Sequence, residues 1–341
     1  MNKDLDNMNS DNYKIFNNIN VNKQFIPYMN ILEENSSYKK IEFNKHNIYN
    51  ITMNCYDLLP GITLIATKTK IDVYINKTDM FTYDNPDDIL ILNYISEGHH
   101  QLKVDDYKYI LLNNNNINIY IKSLNDDEYT FYGETTFYEI IVDKKSISQN
   151  LSRYGEDFMP LQEYYFDMVK NERNIIINIS DELRDLMHNG HKYKIHKEST
   201  RKMLFQVKIF ELLLYLYDKP FENQIDKKTV YSDAQIRVVR KIKNHLSRDI
   251  ASYVSLEVLS ASYGINLTTL KKCFKDMYGK PLYTWYTDYK FQRAKELIEN
   301  TNYPIQKIAN MIGYKSSSKF AKAFKKKIGV LPSSYRKNAD N

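Results

Sequence analysis

At 341 residues and 43% hydrophobic composition, the chain is long enough for two domains, each with its own core. Cys55 and Cys273 are its only cysteines, which excludes a disulfide framework or cysteine-based zinc site. No apolar run reaches the ~18 residues of a membrane span, and the polar, acidic start MNKDLDNMNSDNYK lacks the basic-then-apolar order of an export signal, so a cytoplasmic protein with no membrane partner is expected.

Residues 1–45 are Asn-rich and sparsely apolar, which predicts a largely disordered or irregular segment. From about 60 to 142, short β-branched and aromatic runs (GITLIA, IDVYI, DDILILNYI, YKYILL, INIYIK, TTFYEIIV) alternate with turn signals (DNPDD, NNNN, LNDDE). Many short strands at such spacing predict a β-sandwich or barrel. Beyond Asp143 the pattern turns helical. SDELRDLMHNG (180–190) opens on a Ser cap with acidic first-turn residues and closes on Gly. In ESTRKMLFQVKIFELLLYLYD (198–218), Met203, Val207, Phe210, Leu214 and Tyr217 recur at three- and four-residue steps, with Leu204, Leu213 and Leu216 widening the stripe. That face either packs on the β domain or forms a dimer seam, and both can hold. The polar stretch 219–233 is the expected interdomain linker.

The last third differs in charge. Residues 233–341 hold 21 Lys+Arg against 8 Asp+Glu, and residues 1–232 hold 27 against 34. An AT-rich codon bias, which the Lys, Asn, Ile and 30 Tyr suggest, would enrich both parts alike. The asymmetry therefore points to a polyanion, foremost a nucleic acid, as the partner of this third. Two segments inside it resemble each other. SLEVLSASYGINLTTLKKCFKDMYG (255–279) and PIQKIANMIGYKSSSKFAKAFKKKIG (304–329) each pattern as helix, glycine turn, helix. Gly264 and Gly313 stand 49 apart, whereas Leu270/Phe320, Phe274/Phe324 and Gly279/Gly329 stand 50 apart, so the second turn has one inserted residue. Two helix-turn-helix patterns, at 255–277 and 304–327, follow, joined by a long helix containing LYTWYTDYKFQRAKELIEN.

Through FQRAKELI, PIQKIANMIGY leading into FAKAFKKKIGVLPSSYR, and LTTLKKCFKDMYG, residues 237–337 resemble the DNA-binding domain of AraC/XylS-family transcription regulators. The resemblance implies seven helices within a domain spanning 234–338 and two recognition helices in successive major-groove segments of promoter DNA. One departure lies at Lys315, Ser316, Ser317 and Lys319, where family members often carry acidic, Gln and aromatic residues. For residues 46–218 it implies a cupin-like β-barrel that senses a small molecule and dimerises. The overall fold class is thus α+β, a β-barrel sensor with helices followed by an all-α domain. PGITLIATKTKIDVYI, NYISEGHHQLKVDD and FQVKIFELLLYL are similar to the PchR-type branch, which implies a siderophore as effector. An activator, homodimeric and contacting RNA polymerase, is the expected form.

At about 100° per residue, Phe320, Phe324 and Ile328 fall together and Lys319, Lys322 and Lys326 occupy the far side of the helix. Those lysines, with Ser316, Ser317 and Ser318 at the helix entrance, are candidate DNA contacts; Ser316 is equally suited to N-capping. Thr268, Thr269, Lys271, Lys272 and Lys275 hold the corresponding places in the first unit. Lys325, Lys327 and Lys337 are either further contacts or solvated charge, and Phe274, Phe324, Trp285 and Tyr335 are expected in the core. In EGHH, adjacent His99 and His100 would point to opposite faces of a strand, so exposed or locally bonded histidines are expected rather than a metal site. His188, His191 and His196 fall in an expected turn. No catalytic constellation or cofactor is predicted. Two alternatives remain, a cupin-type metal enzyme with a DNA-targeting module and an N-terminal domain that only dimerises or binds protein.

Overall fold

A computed structural model describes residues 13–16, 19–46, 48–76, 80–105, 107–124, 129–150, 158–170, 174–181, 183–184, 197–218, 229–252 and 254–339. The chain divides into two compact units, Met1–Val230 and Tyr231–Asn341.

The first unit is mainly antiparallel sheet. Strands β1 (Tyr13–Phe16), β2 (Ile19–Val21) and β7 (Phe81–Tyr83) form a small sheet. A larger one is built from β3 (Met29–Asn35), β4 (Tyr38–Lys45), β5 (Tyr49–Leu59), β6 (Ile62–Asn76), β8 (Ile89–Glu97), β9 (His100–Asp105), β10 (Lys108–Leu112), β11 (Asn116–Ile121), β12 (Tyr129–Asp143) and β13 (Ile175–Asn178). Its main path runs β13-β11-β8-β12-β6-β5-β4-β3, with β9 pairing both β12 and β10. The ends of this path, β13 and β3, do not pair among the described residues, so the expected closed barrel is not what the strand order gives.

Side chains alternate across the large sheet, and both faces are buried. One face (Ile41, Phe43, Ile51, Met53, Ile65, Ile91, Phe137) packs with Ile15, Phe16, Ile19 and Val21 of the small sheet. The other (Tyr56, Leu58, Leu64, Leu92, Tyr138, Ile140) is covered by helices α2 (Phe158–Lys170) and α3 (Glu198–Asp218), reached after the short α1 (Lys144–Gln149). Tyr165 Oη donates to Leu213 O at 2.5 Å, and Gln206 Nε2 to Leu58 O at 2.6 Å. The irregular segment expected at 1–45 is corrected: residues 13–45 carry four strands, with Ile15, Val21, Ile41 and Phe43 at most 1% exposed. Those runs are short and Asn-interrupted, and long-range pairing supplies the register that local pattern lacks. Residues 1–12, most of the linker, His188, His191 and His196 lie outside the described residues, as does most of 180–190, although Ser180 Oγ does accept from Leu183 N–H (3.3 Å).

The second unit is helical: α4 (Asp233–Arg248), α5 (Leu256–Tyr263), α6 (Leu267–Tyr278), α7 (Leu282–Asn300), α8 (Ile305–Met311), α9 (Ser317–Ile328) and α10 (Pro332–Ala339). Helix α4 starts at a full capping box, Ser232 accepting from Gln235 N–H while the Gln235 side chain accepts from Ser232 N–H. Around α7, the buried Phe291, Ala294 and Ile298 pack with Ile308, Ala309, Ile312, Phe320 and Phe324. No helix of the described residues is long and apolar enough to cross a membrane.

Candidate nucleic-acid interface

The pairs α5–α6 and α8–α9 are built alike down to their turns. Ser255 caps α5 by accepting from Val258 N–H (3.3 Å). The helix ends at Gly264, φ +63°, and Ile265 N–H returns to Ser260 O (3.1 Å). Asn266 then caps α6, accepting from Thr268 and Thr269 N–H at 2.9 and 3.3 Å. In the second pair Gly313 has φ +87°, Tyr314 N–H returns to Ala309 O (2.8 Å), and Ser316 Oγ accepts from Lys319 N–H (3.4 Å). Both first helices thus end in the same six-to-one bond behind a left-handed glycine. The offset changes from 49 to 50 between Ile265/Tyr314 and Asn266/Ser316, so the inserted residue is Lys315. Both second helices then run for 12 residues to a left-handed glycine, Gly279 or Gly329.

Core and surface divide as the helical wheel requires. Leu270, Phe274, Phe320 and Phe324 are fully buried. Thr268, Lys271, Lys272 and Lys275 on α6 are exposed, and so are Ser318, Lys319, Lys322 and Lys326 on α9; Thr269, Ser316 and Ser317 are half-buried. Lys272 and Lys322 hold equivalent, exposed positions of the two helices. The Ser316 hydroxyl serves as the cap, and Ser317 N–H donates to Gln306 Oε1 (3.2 Å). Trp285 and Tyr335 are half-buried at the edge of the core, packing on the buried Phe274 and Phe324 with centroids 5.5 and 5.7 Å apart, and each keeps a partner at the rim. Trp285 stacks on Tyr289 with centroids 5.4 Å apart, and Tyr335 Oη bonds Glu299.

Three electrostatic features escaped the sequence pattern. Asp288 on α7 pairs with Lys280 (2.6 Å) and with Lys327, and their hydrogen bonds hold its carboxyl below the usual value. Lys327 is therefore paired, whereas Lys325 is exposed on the other side of α9. No local spacing reveals a contact between residues 39 positions apart. Arg240 is buried, and desolvation brings its guanidinium down to about 10 against the opposing pull of Tyr278 and Cys273. Cys273 itself is pushed up to about 12 by burial.

In the first unit, one row of the sheet crosses five strands as Cys55, Ile65, Glu139, Asn93 and Asn118 in successive cross-strand pairs. It lies on the face that packs against the small sheet. Glu139 and Asn93 are 2% and 3% exposed, and Asn118 Nδ2 donates to Asn174 Oδ1 (3.0 Å). Asn93 Nδ2 and the neighbouring Thr67 hydroxyl make no hydrogen bond among the described residues. His99 and His100 are also buried, so of the two expectations, exposed or locally bonded, the exposed one does not hold. His100 sets its ring against Phe137, centroids 4.5 Å apart. No group of three or more His, Cys, Asp or Glu that could hold a metal occurs among the described residues.

The repeated capped helix pairs define a helix-turn-helix protein, and the family described as "Helix-turn-helix domain" matches residues 259–338. The chain carries an AraC/XylS-family domain of this kind. It is 27% identical over 138 residues to the HTH-type transcriptional regulator ExsA of Pseudomonas aeruginosa, covering 40% of this chain and 49% of that one. To the raffinose operon transcriptional regulatory protein RafR of Pediococcus pentosaceus it is 39% identical over 90 residues, 26% of this chain and 29% of that one. The chain thus spans half or less of the length of these relatives. Among solved structures, the C-terminal domain of AraT, a response regulator from Geobacillus stearothermophilus, is 30% identical with a TM-score of 0.28, covering 31% of this chain and 86% of that one.

Proposed function

We propose that the protein is a sequence-specific regulator of transcription, an activator acting in the cytoplasm, whose helices α6 and α9 enter adjacent major-groove segments of promoter DNA. The observation that carries this reading is the repetition of one capped helix pair with Lys272 and Lys322 exposed at the same position of each copy. In this reading Thr268, Thr269, Lys271, Lys272 and Lys275 meet one groove segment, and Ser317, Ser318, Lys319, Lys322 and Lys326 the other. Most lysines neutralise phosphate, and affinity falls steeply with salt. The first unit serves as a sensor that acts as a homodimer, and the activator contacts RNA polymerase. Support for the sensor reading comes from the row around Asn93 and Glu139. There Asn93 Nδ2 and the Thr67 hydroxyl make no hydrogen bond among the described residues, and in an apolar interior a polar group without a partner costs about 1–3 kcal/mol, which a polar ligand offsets.

The test is promoter binding as a function of salt for wild type and for Lys272→Ala with Lys322→Ala. The expected result is a linear fall of log affinity with log salt, and at least a tenfold loss with a shallower slope in the double variant. Unchanged affinity in the variant would sink the groove assignment.

A further inference from the structure

The ends of helices α6 and α9 converge on one carboxylate. Lys280 follows Gly279, the residue that terminates α6, and its ammonium donates to Asp288 Oδ2 at 2.6 Å. Lys327, in the last turn of α9, pairs with the other oxygen, Oδ1. Asp288 stands between them on α7 with its side chain 25% exposed, so solvent screens these pairs less than it would on an open surface. The two helix pairs are also tied elsewhere. Tyr286, two residues before Asp288, holds the segment between α4 and α5: its Oη donates to Ser252 O (2.8 Å), with Ile250 O at 3.0 Å. Gly313, the turn glycine of the second pair, lies directly against the Ala251 carbonyl of that segment. This contact is near the entrance of α9. Lys327 lies ten residues beyond Ser317, about 15 Å further along the helix. Two bodies that touch at one place can still turn about it, and a tie at the far end removes that freedom.

We propose that Asp288 is a positioning residue: it locks the ends of α6 and α9 together and so fixes the separation of the two groove segments that the protein accepts. The inference rests on the reading above, in which both helices enter DNA. Each base pair added between the segments displaces one of them by about 3.4 Å and turns it by about 35°. A pair of reading helices tied at both places cannot follow that change and rejects the altered site, whereas a pair joined only at the Gly313 turn pivots to meet it. Asp288→Asn isolates the effect, because the side chain keeps its shape while one of its two acceptor oxygens becomes a donor that cannot receive a lysine. Lys327→Gln breaks the same tie from the side of α9.

Duplexes selected from a random pool by the full chain supply the site, and versions with one base pair added or removed between the two segments supply the test. Wild type is expected to lose at least about tenfold in affinity on either change. Asp288→Asn and Lys327→Gln are each expected to shrink that penalty at least about threefold. Lys325→Gln removes the same charge on the other side of α9, and should leave the spacing penalty as it is while making the salt slope shallower. A penalty as large in Asp288→Asn as in wild type, or one that Lys325→Gln shrinks equally, overturns the proposal. A measurement without DNA uses spin labels on Lys272→Cys with Lys322→Cys, which Cys55 and Cys273 do not disturb because both are fully buried. The distribution of distances between the labels should be narrow with Asp288 in place and broader with Asp288→Asn, at an unchanged circular-dichroism spectrum; equal widths overturn the tie. Failure to select any duplex counts against the regulator reading, and the label widths still decide whether Asp288 holds the two helices together.

Discussion

Gly264 and Gly313 occupy the same place in the repeat, yet they are not under the same constraint. Each has a left-handed φ, +63° and +87°, which costs an L side chain about 1 kcal/mol. At Gly264 an added Cβ meets nothing within 4 Å, but at Gly313 it would sit 2.4 Å from the carbonyl oxygen of Ala251. Backbone cannot yield as a side chain can. Gly264→Ala is therefore expected to cost about 1 kcal/mol, and Gly313→Ala about 3 kcal/mol or more, since backbone strain is added to the φ penalty. Chemical denaturation of the two variants checks the contrast, and equal losses would refute it. The glycines themselves were legible in the sequence as turns. What distinguishes them was not, because Ala251 is 62 positions from Gly313 and belongs to the segment between α4 and α5.

Helix caps carry the same lesson at the level of elements. Ser316 was readable as a cap before α9, and the structure makes both this cap and the corresponding one at Asn266 before α6, but unequally. Asn266 takes two N–H groups at 2.9 and 3.3 Å, whereas Ser316 takes one at 3.4 Å. Asn266→Ala should accordingly cost about 1–2 kcal/mol and Ser316→Ala about 0.5 kcal/mol, measured by thermal or urea unfolding; the reverse order would show that the bond geometry does not govern stability here. The helices were legible because their apolar steps, caps and terminal glycines agree with one another. Much of the sheet was legible as strand-like texture, but β1–β5 and β13 were missed and its path was not foreseen. Strand order and openness depend on pairings such as β12 with both β6 and β8, which no local pattern encodes. For α3 the pattern specified an apolar helix but left open what its broad face meets. Met203, Val207 and Leu214 of the stripe are exposed, and the face on the sheet is centred on Leu212 and Leu213.

At the scale of the whole molecule, each unit has its own core: the two faces of the sheet in one, and α7 with its neighbours in the other. Residues 231–341 are thus expected to fold alone, as judged by cooperative unfolding. They should retain salt-dependent DNA binding at least about tenfold weaker than the full chain, because two linked copies raise the effective concentration of the second; a fragment that fails to fold would contradict the independence of its core. Within the first unit, β5 serves two neighbourhoods at once. Cys55 points into the polar row beside Ile65 and Glu139, while the next residue, Tyr56, points the other way and meets Phe205 of α3 with ring centroids 5.0 Å apart. A single peptide bond separates the two. Anything that shifts the backbone of β5 from the interior is delivered directly to the bed of α3, so the sheet can transmit an internal event to the helix as a membrane in a drum does, without a hinge.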